Sequence, residues 1–129
     1  MSRLRDGKLL PPPRSPNCVS SQADPADKTH FVPGLRYAGP PDAALARLRE
    51  LILAMPRVAV VHADATSLHF TFTTRIMRYV DDVDVLIDPA SDRIDLRSAS
   101  RVGYGDFNAN RNRVEAIRAA WAAATGVHT

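Results

Sequence analysis

Apolar positions recur at two different periods along the chain, and the change of period divides it. From Asp42 onward, Leu45, Leu48, Ile52 and Met55 fall at three- and four-residue spacings, which predicts a helix with one buried stripe. The Asp42 carboxylate is placed to cap the free amides of the first turn, and Pro56 stops the helix. The period then drops to two. Arg57–His62 sets Val58 and Val60 on one side. Leu68–Thr73 sets Leu68, Phe70 and Phe72 against His69, Thr71 and Thr73. Asp82–Ile87 sets Val83, Val85 and Ile87 against Asp82, Asp84 and Leu86. Arg93–Ser100 sets Ile94, Leu96, Ser98 and Ser100 against Arg93, Asp95, Arg97 and Ala99. Alternation with one apolar face predicts antiparallel strands covered on one side.

The last two runs predict their own register. A four-residue loop, Pro89-Ala90-Ser91-Asp92, suits a hairpin. Closing it with Asp88 opposite Arg93 sets Ile87 against Ile94, Val85 against Leu96 and Val83 against Ser98. On the other face Asp84 meets Arg97, so core faces core and acid faces base. After the turn Gly103-Tyr104-Gly105, with Asp106 or Asn108 as cap, Val114, Ile117, Trp121 and Ala124 form the stripe of a second helix that Gly126 ends.

The expected fold class is α+β: a two-layer, four-stranded antiparallel sheet with two helices on one face. Its core domain, 42–126, runs α-β-β-β-β-α. Eight of the ten prolines lie in residues 11–41, which predicts an irregular, extended arm. Cys18, Val19, Phe31, Val32, Leu35 and Tyr37 give that arm apolar side chains to pack on the domain. Residues 1–10 are expected to be mobile.

Composition narrows the function classes. The 129 residues suit one domain, and 45% hydrophobic with 24% charged is globular composition. A single cysteine excludes an internal disulfide framework and fits a reducing, cytoplasmic compartment. No apolar run is long enough to cross a membrane, and MSRLRDGKLLPPP lacks the apolar stretch of an export signal. The net charge of +3 lies wholly in residues 1–41, which hold six Lys/Arg against three Asp; residues 42–129 balance eleven Arg with eleven Asp/Glu. A neutral folded body argues against nucleic acid as a partner.

Three stretches taken together resemble a known family: Ser15-Pro-Asn-Cys-Val-Ser-Ser21, Arg78-Tyr-Val-Asp-Asp-Val83, and Arg97-Ser-Ala-Ser-Arg-Val-Gly103 followed by Asp106, Asn110, Arg111 and Arg113. They are similar, over about residues 11–120, to the bacterial and plastid family filed as domain of unknown function 1499. The resemblance implies no assigned activity. Relatives often carry an N-terminal anchor or export signal, a pattern absent from the first residues here.

The residues themselves suggest three readings. The first is a binding site for a small anion or a partner's carboxylate at the arginine-rich strand–turn–helix element, with Arg101, Asn110, Arg111, Arg113, Ser98 and Ser100 as ligand-binding residues and the arm as a lid. Guanidinium forks and free helix-start amides suit an anion. The element lacks the glycine spacing of a nucleotide loop, and no cofactor is implied. Set against it is internal pairing with Asp81, Asp82, Asp84 and Asp106. The second reading is an enzyme with Cys18 as nucleophile and His30 as its base, the arginines lining an anion pocket. The third is an interaction or scaffolding domain using an exposed sheet face of His69, Thr71, Thr73, Asp84, Asp95 and Arg97. Asp81 and Asp82 point to opposite faces of their strand and are expected in solvent. His30, His62, His69 and His128 show no metal-ligand spacing; pairing Val58 and Val60 with Phe72 and Phe70 sets His62 against Leu68, and a slip of one residue would set it against His69.

Overall fold

The computed structural model describes residues 4–102 and 108–127. Its elements are β1 (Leu4–Arg5), β2 (Lys8–Leu9), β3 (Cys18–Ser20), β4 (Leu35–Arg36), α1 (Pro41–Leu53), β5 (Val58–Ala63), β6 (Ser67–Thr73), β7 (Val80–Ile87), β8 (Arg93–Ser100) and α2 (Ala109–Thr125).

The α+β class holds, but the sheet has six strands where the sequence pattern predicts four. The order is β3-β8-β7-β6-β5, with β4 also paired to β8, and β1 and β2 make a separate two-stranded hairpin. The two extra strands come from the proline-rich arm. Cys18–Ser20 lies between Pro16 and Pro25, and Leu35–Arg36 follows Pro33, so each keeps the amides a short ladder needs. Strands of two or three residues are too brief to show a period, which is why the pattern hides them.

The predicted β7–β8 register is the one observed: Ile87 faces Ile94, Val85 faces Leu96, Val83 faces Ser98 and Asp84 faces Arg97. Phe70 pairs with Val83, and Leu68 with Val85, so these apolar residues share one face. That face forms a single core with Ala44, Leu45, Leu48 and Ile52 of α1 and Val114, Ile117 and Trp121 of α2. The arm is tied in by Val19, Val32, Leu35 and Tyr37, and by Trp121 Nε1 donating to Arg36 O at 2.8 Å.

The start of α1 differs from expectation, whereas α2 is capped at one of the two residues expected. Pro40 caps α1, and Asp42 lies in its first turn, where Oδ1 accepts from Ala43 N at 2.9 Å. Asn108 caps α2 in a left-handed conformation, φ 65°, with no side-chain cap bond; Asp106 lies outside the described residues. Gly126 ends α2 at φ 73° as predicted.

Candidate functional site

Asp81 and Asp82 open β7 and, as successive strand residues, point to opposite faces. Both are buried, against the expectation that they sit in solvent. On the core face Asp81 Oδ2 lies 2.8 Å from Arg113 Nη1, and that guanidinium stacks over the Phe72 ring at 4.9 Å. Arg113 also donates to Asn110 Oδ1 at 3.1 Å and Ser98 Oγ at 3.4 Å. Fully buried Asn110 accepts from Ser98 Oγ at 2.6 Å and donates to Ser100 Oγ at 2.9 Å and to Asn17 O at 3.1 Å. The structure thus brings Ser98, Ser100, Asn110 and Arg113 together. Their polar atoms are spent on one another, on Asp81 and on the arm, as buried polar groups require.

On the opposite face Asp82 accepts two bonds from Arg101, Nε to Oδ2 at 2.9 Å and Nη2 to Oδ1 at 3.0 Å. The carboxylate raises the Arg101 pKa through that side-chain bond. His69 Nε2 meets Asp82 Oδ1 at 2.8 Å. A β-bulge after Val60 supplies the slip that straight pairing lacks, so His62 faces His69, not Leu68. His62 Nε2 contacts Asp64 Oδ2 at 3.0 Å and holds that carboxyl well below its ordinary range. Among the described residues no three His, Cys, Asp or Glu gather as a metal site.

Arg111 closes the arm onto α2. Its guanidinium donates to three backbone carbonyls of one turn: Lys28 O at 3.0 Å, Thr29 O at 3.2 Å and Phe31 O at 2.9 Å. Arg97 is buried and faces Asp84 in register, yet its Nη2 reaches Pro11 O at 3.4 Å and its Nε has no partner. The expected Asp84–Arg97 ion pair therefore holds in register and not in side-chain bonding.

Cys18 and His30 each contact other groups. Cys18 is fully buried in β3, where its Sγ lies 3.9 Å from Val19 O. Both ring nitrogens of His30 are engaged, Nδ1 with Asp27 Oδ2 at 2.7 Å and Nε2 with Ser15 O at 2.9 Å. A carbonyl and a carboxylate are both acceptors, so this pair of partners favours the ring's protonated form, which has two donors. Burial works to lower the His30 pKa, but the Ser15 carbonyl and the Asp27 carboxylate outweigh it and leave it raised.

The sheet face expected to be open is covered. His69, Asp84, Asp95 and Arg97 are buried, and Leu4, Leu9 and Pro11 of the N-terminal segment lie against this side. A groove of about 580 Å³ remains beside it, walled by Lys8, Gln22, Phe31, Arg36 and Asp95. Its charges are largely paired, Arg36 with Asp92 at 2.6 Å and Arg93 with Asp95 at 2.8 Å.

Two surfaces that the sequence reading passed over stand out once the arginines are assigned. One is β5, the outermost strand, exposed over most of its length. The other is the β6–β7 loop, residues 74–79, where Ile76 is 86% exposed and Met77 62%. The available signal for β5 was six residues without Asp, Glu, Lys or Arg at one end of the strand order; for the loop it was Ile-Met between two arginines in a polar turn.

A family model described as "Protein of unknown function (DUF1499)" matches residues 8–121. No curated protein matches the chain. Among the described residues no helix is long and apolar enough to cross a membrane.

Proposed function

We propose that this chain, which belongs to the DUF1499 family, works as an interaction module that joins a second copy of itself edge to edge through β5. The free edge of β5 carries the reading. Thr73 N donates to Arg57 O at 3.0 Å, which fixes the alternation of the ladder. Val58 and Val60 therefore direct their N–H and C=O groups away from β6, where no strand follows among the described residues. Exposed edges are ordinarily blunted by lysine, proline or short length. Here the edge is Val-Ala-Val-Val-His-Ala, and only the bulge interrupts it. An antiparallel copy would set no like charges opposite one another. The sheet's other end is edged only by β3 and β4, strands of 3 and 2 residues.

Anion binding at Arg101, Asn110, Arg111 and Arg113 draws less support, since those groups are committed to Asp82, Asp81 and main-chain carbonyls. A Cys18/His30 enzyme draws less still, given a buried thiol and a doubly engaged imidazole.

Sedimentation velocity over a concentration series tests the edge. The chain should reach a dimer that Val60→Lys and Val60→Pro both abolish while thermal unfolding stays cooperative. Amide exchange at Val58 and Val60 should slow as concentration rises. A monomer throughout, with both amides exchanging freely, overturns the reading.

A further inference from the structure

We infer that the β6–β7 loop, at one end of the sheet, is a docking tip for an anionic lipid bilayer. This goes beyond the β5 edge and rests on different residues. The loop reads Thr74-Arg-Ile-Met-Arg-Tyr79, and its apex is apolar: Ile76 is 86% exposed, Met77 62% and Tyr79 47%. Val102 joins them at the same end, because Arg101 N donates to Val80 O at 3.1 Å, and it is 53% exposed. Single exposed apolar residues need no explanation, but a cluster at the apex of one turn does.

The loop is held in shape. Thr74 N donates to Tyr79 O and Tyr79 N donates to Thr74 Oγ1, each at 2.8 Å, closing the turn at its base. Arg78 takes a left-handed backbone, φ 59°, which a non-glycine residue adopts at a cost. The closed turn pushes Ile76 and Met77 outward, away from any core.

Charge identifies the partner. Arg75 and Arg78 flank the apolar pair and make no hydrogen bond or ion pair with any described residue, whereas Arg101 and Arg113 are bound to Asp82 and Asp81. No Asp or Glu occurs from Ala65 to Val80, and the first two acids that follow are those same paired aspartates. Among the described residues the tip thus presents positive charge around an apolar point with no acid paired to it. An anionic bilayer satisfies all three features at once: guanidinium groups meet phosphates, Tyr79 sits at headgroup depth, and Ile76 with Met77 enters the acyl boundary. A soluble phosphate would satisfy the arginines and leave the apolar pair in water. A nucleic acid would use aromatic stacking at the apex, where this loop has Ile and Met.

Vesicle co-sedimentation of the whole chain tests this, with phosphatidylcholine vesicles containing or lacking phosphatidylglycerol. The chain should pellet with the anionic vesicles alone, and high salt should weaken the association. Arg75→Gln and Arg78→Gln should each lower the partition coefficient about five-fold. Ile76→Ser with Met77→Ser should abolish pelleting, while an I76W chain should shift its emission to the blue on anionic vesicles. Val60→Pro, run in parallel, should pellet as the parent does, which separates failure of the β5 reading from failure of this one. The inference is overturned by an absence of pelleting with anionic vesicles, or by pelleting that survives the Ile76→Ser/Met77→Ser double substitution. It is also overturned if inorganic phosphate displaces the chain where sodium chloride of equal ionic strength does not, or if the chain retains polyuridylic acid in preference to vesicles.

Discussion

Asp81 and Asp82 are sequence neighbours held by different arginines on opposite faces of the sheet, Asp81 by Arg113 at 2.8 Å and Asp82 by Arg101 at 2.9 Å. The two pairs differ in setting. The Arg113 side chain is 14% exposed and the Arg101 side chain 53%. Removing one partner of a buried pair strands the other charge away from water, whereas an exposed arginine turns to solvent. Asp81→Asn should therefore cost about 3 kcal/mol. Asp82→Asn should cost less, about 1–2 kcal/mol, since an amide there still meets buried His69. Urea unfolding of both variants checks the ranking, and equal losses would contradict it.

Asn110 links three separate parts of the fold: Ser98 and Ser100 of β8, its own helix α2, and Asn17 of the arm. Asn110→Leu keeps roughly the volume and leaves those buried groups unpaired, at about 1–3 kcal/mol for each unsatisfied group. Stability should fall by about 3 kcal/mol, and amide exchange across Cys18–Ser20 should quicken more than in β6. Uniform exchange in both strands would show that Asn110 does not hold the arm.

Much of this fold is legible in residue order, and the losses have physical causes. The β7–β8 register follows from Val83, Val85 and Ile87 meeting Ser98, Leu96 and Ile94, because any one-residue slip turns an apolar face to water. The β5–β6 register fails at His62, since a bulge adds a residue without altering the alternation on either side. Strands β3 and β4 stay hidden because two or three residues carry no period. The arginines of Arg97–Arg113 were readable as a polar cluster, but their partners are contributed by β7, by the arm and by main-chain carbonyls, which no local pattern specifies. Burial of the second sheet face was equally illegible, because its cover comes from Leu4, Leu9 and Pro11 at the far end of the chain.

Gly34 sits where the arm crosses β8. A Cβ there would lie 2.7 Å from Ile94 O and 3.3 Å from Ser21 Cβ. The closest obstacle is backbone of a central strand, so it cannot swing aside. Gly34→Ala should destabilise by about 1–3 kcal/mol, and it should loosen the Leu35–Ile94 and Arg36–Arg93 pairing first. A thermal midpoint unchanged from the parent chain would contradict this.

The His30–Asp27 pair makes the arm's attachment depend on pH from both sides. His30 has a raised pKa in the fold, so its contribution is complete below the unfolded imidazole value and is lost as pH climbs through the folded one. Asp27 is lowered by its bond to His30, so its contribution is present above the ordinary carboxylate range and is lost as pH falls through the depressed value. Stability from this pair is therefore present between the ordinary carboxylate and imidazole ranges and declines as pH rises from the imidazole range upward. Nitrogen-15 titration should place the His30 ring pKa above that of an unperturbed histidine. His30→Gln keeps a donor toward Ser15 O or Asp27 but cannot titrate, so its stability should be lower at pH 6 and lose the decline that begins in the ordinary imidazole range. An unchanged slope in that range would assign the pH dependence to another group.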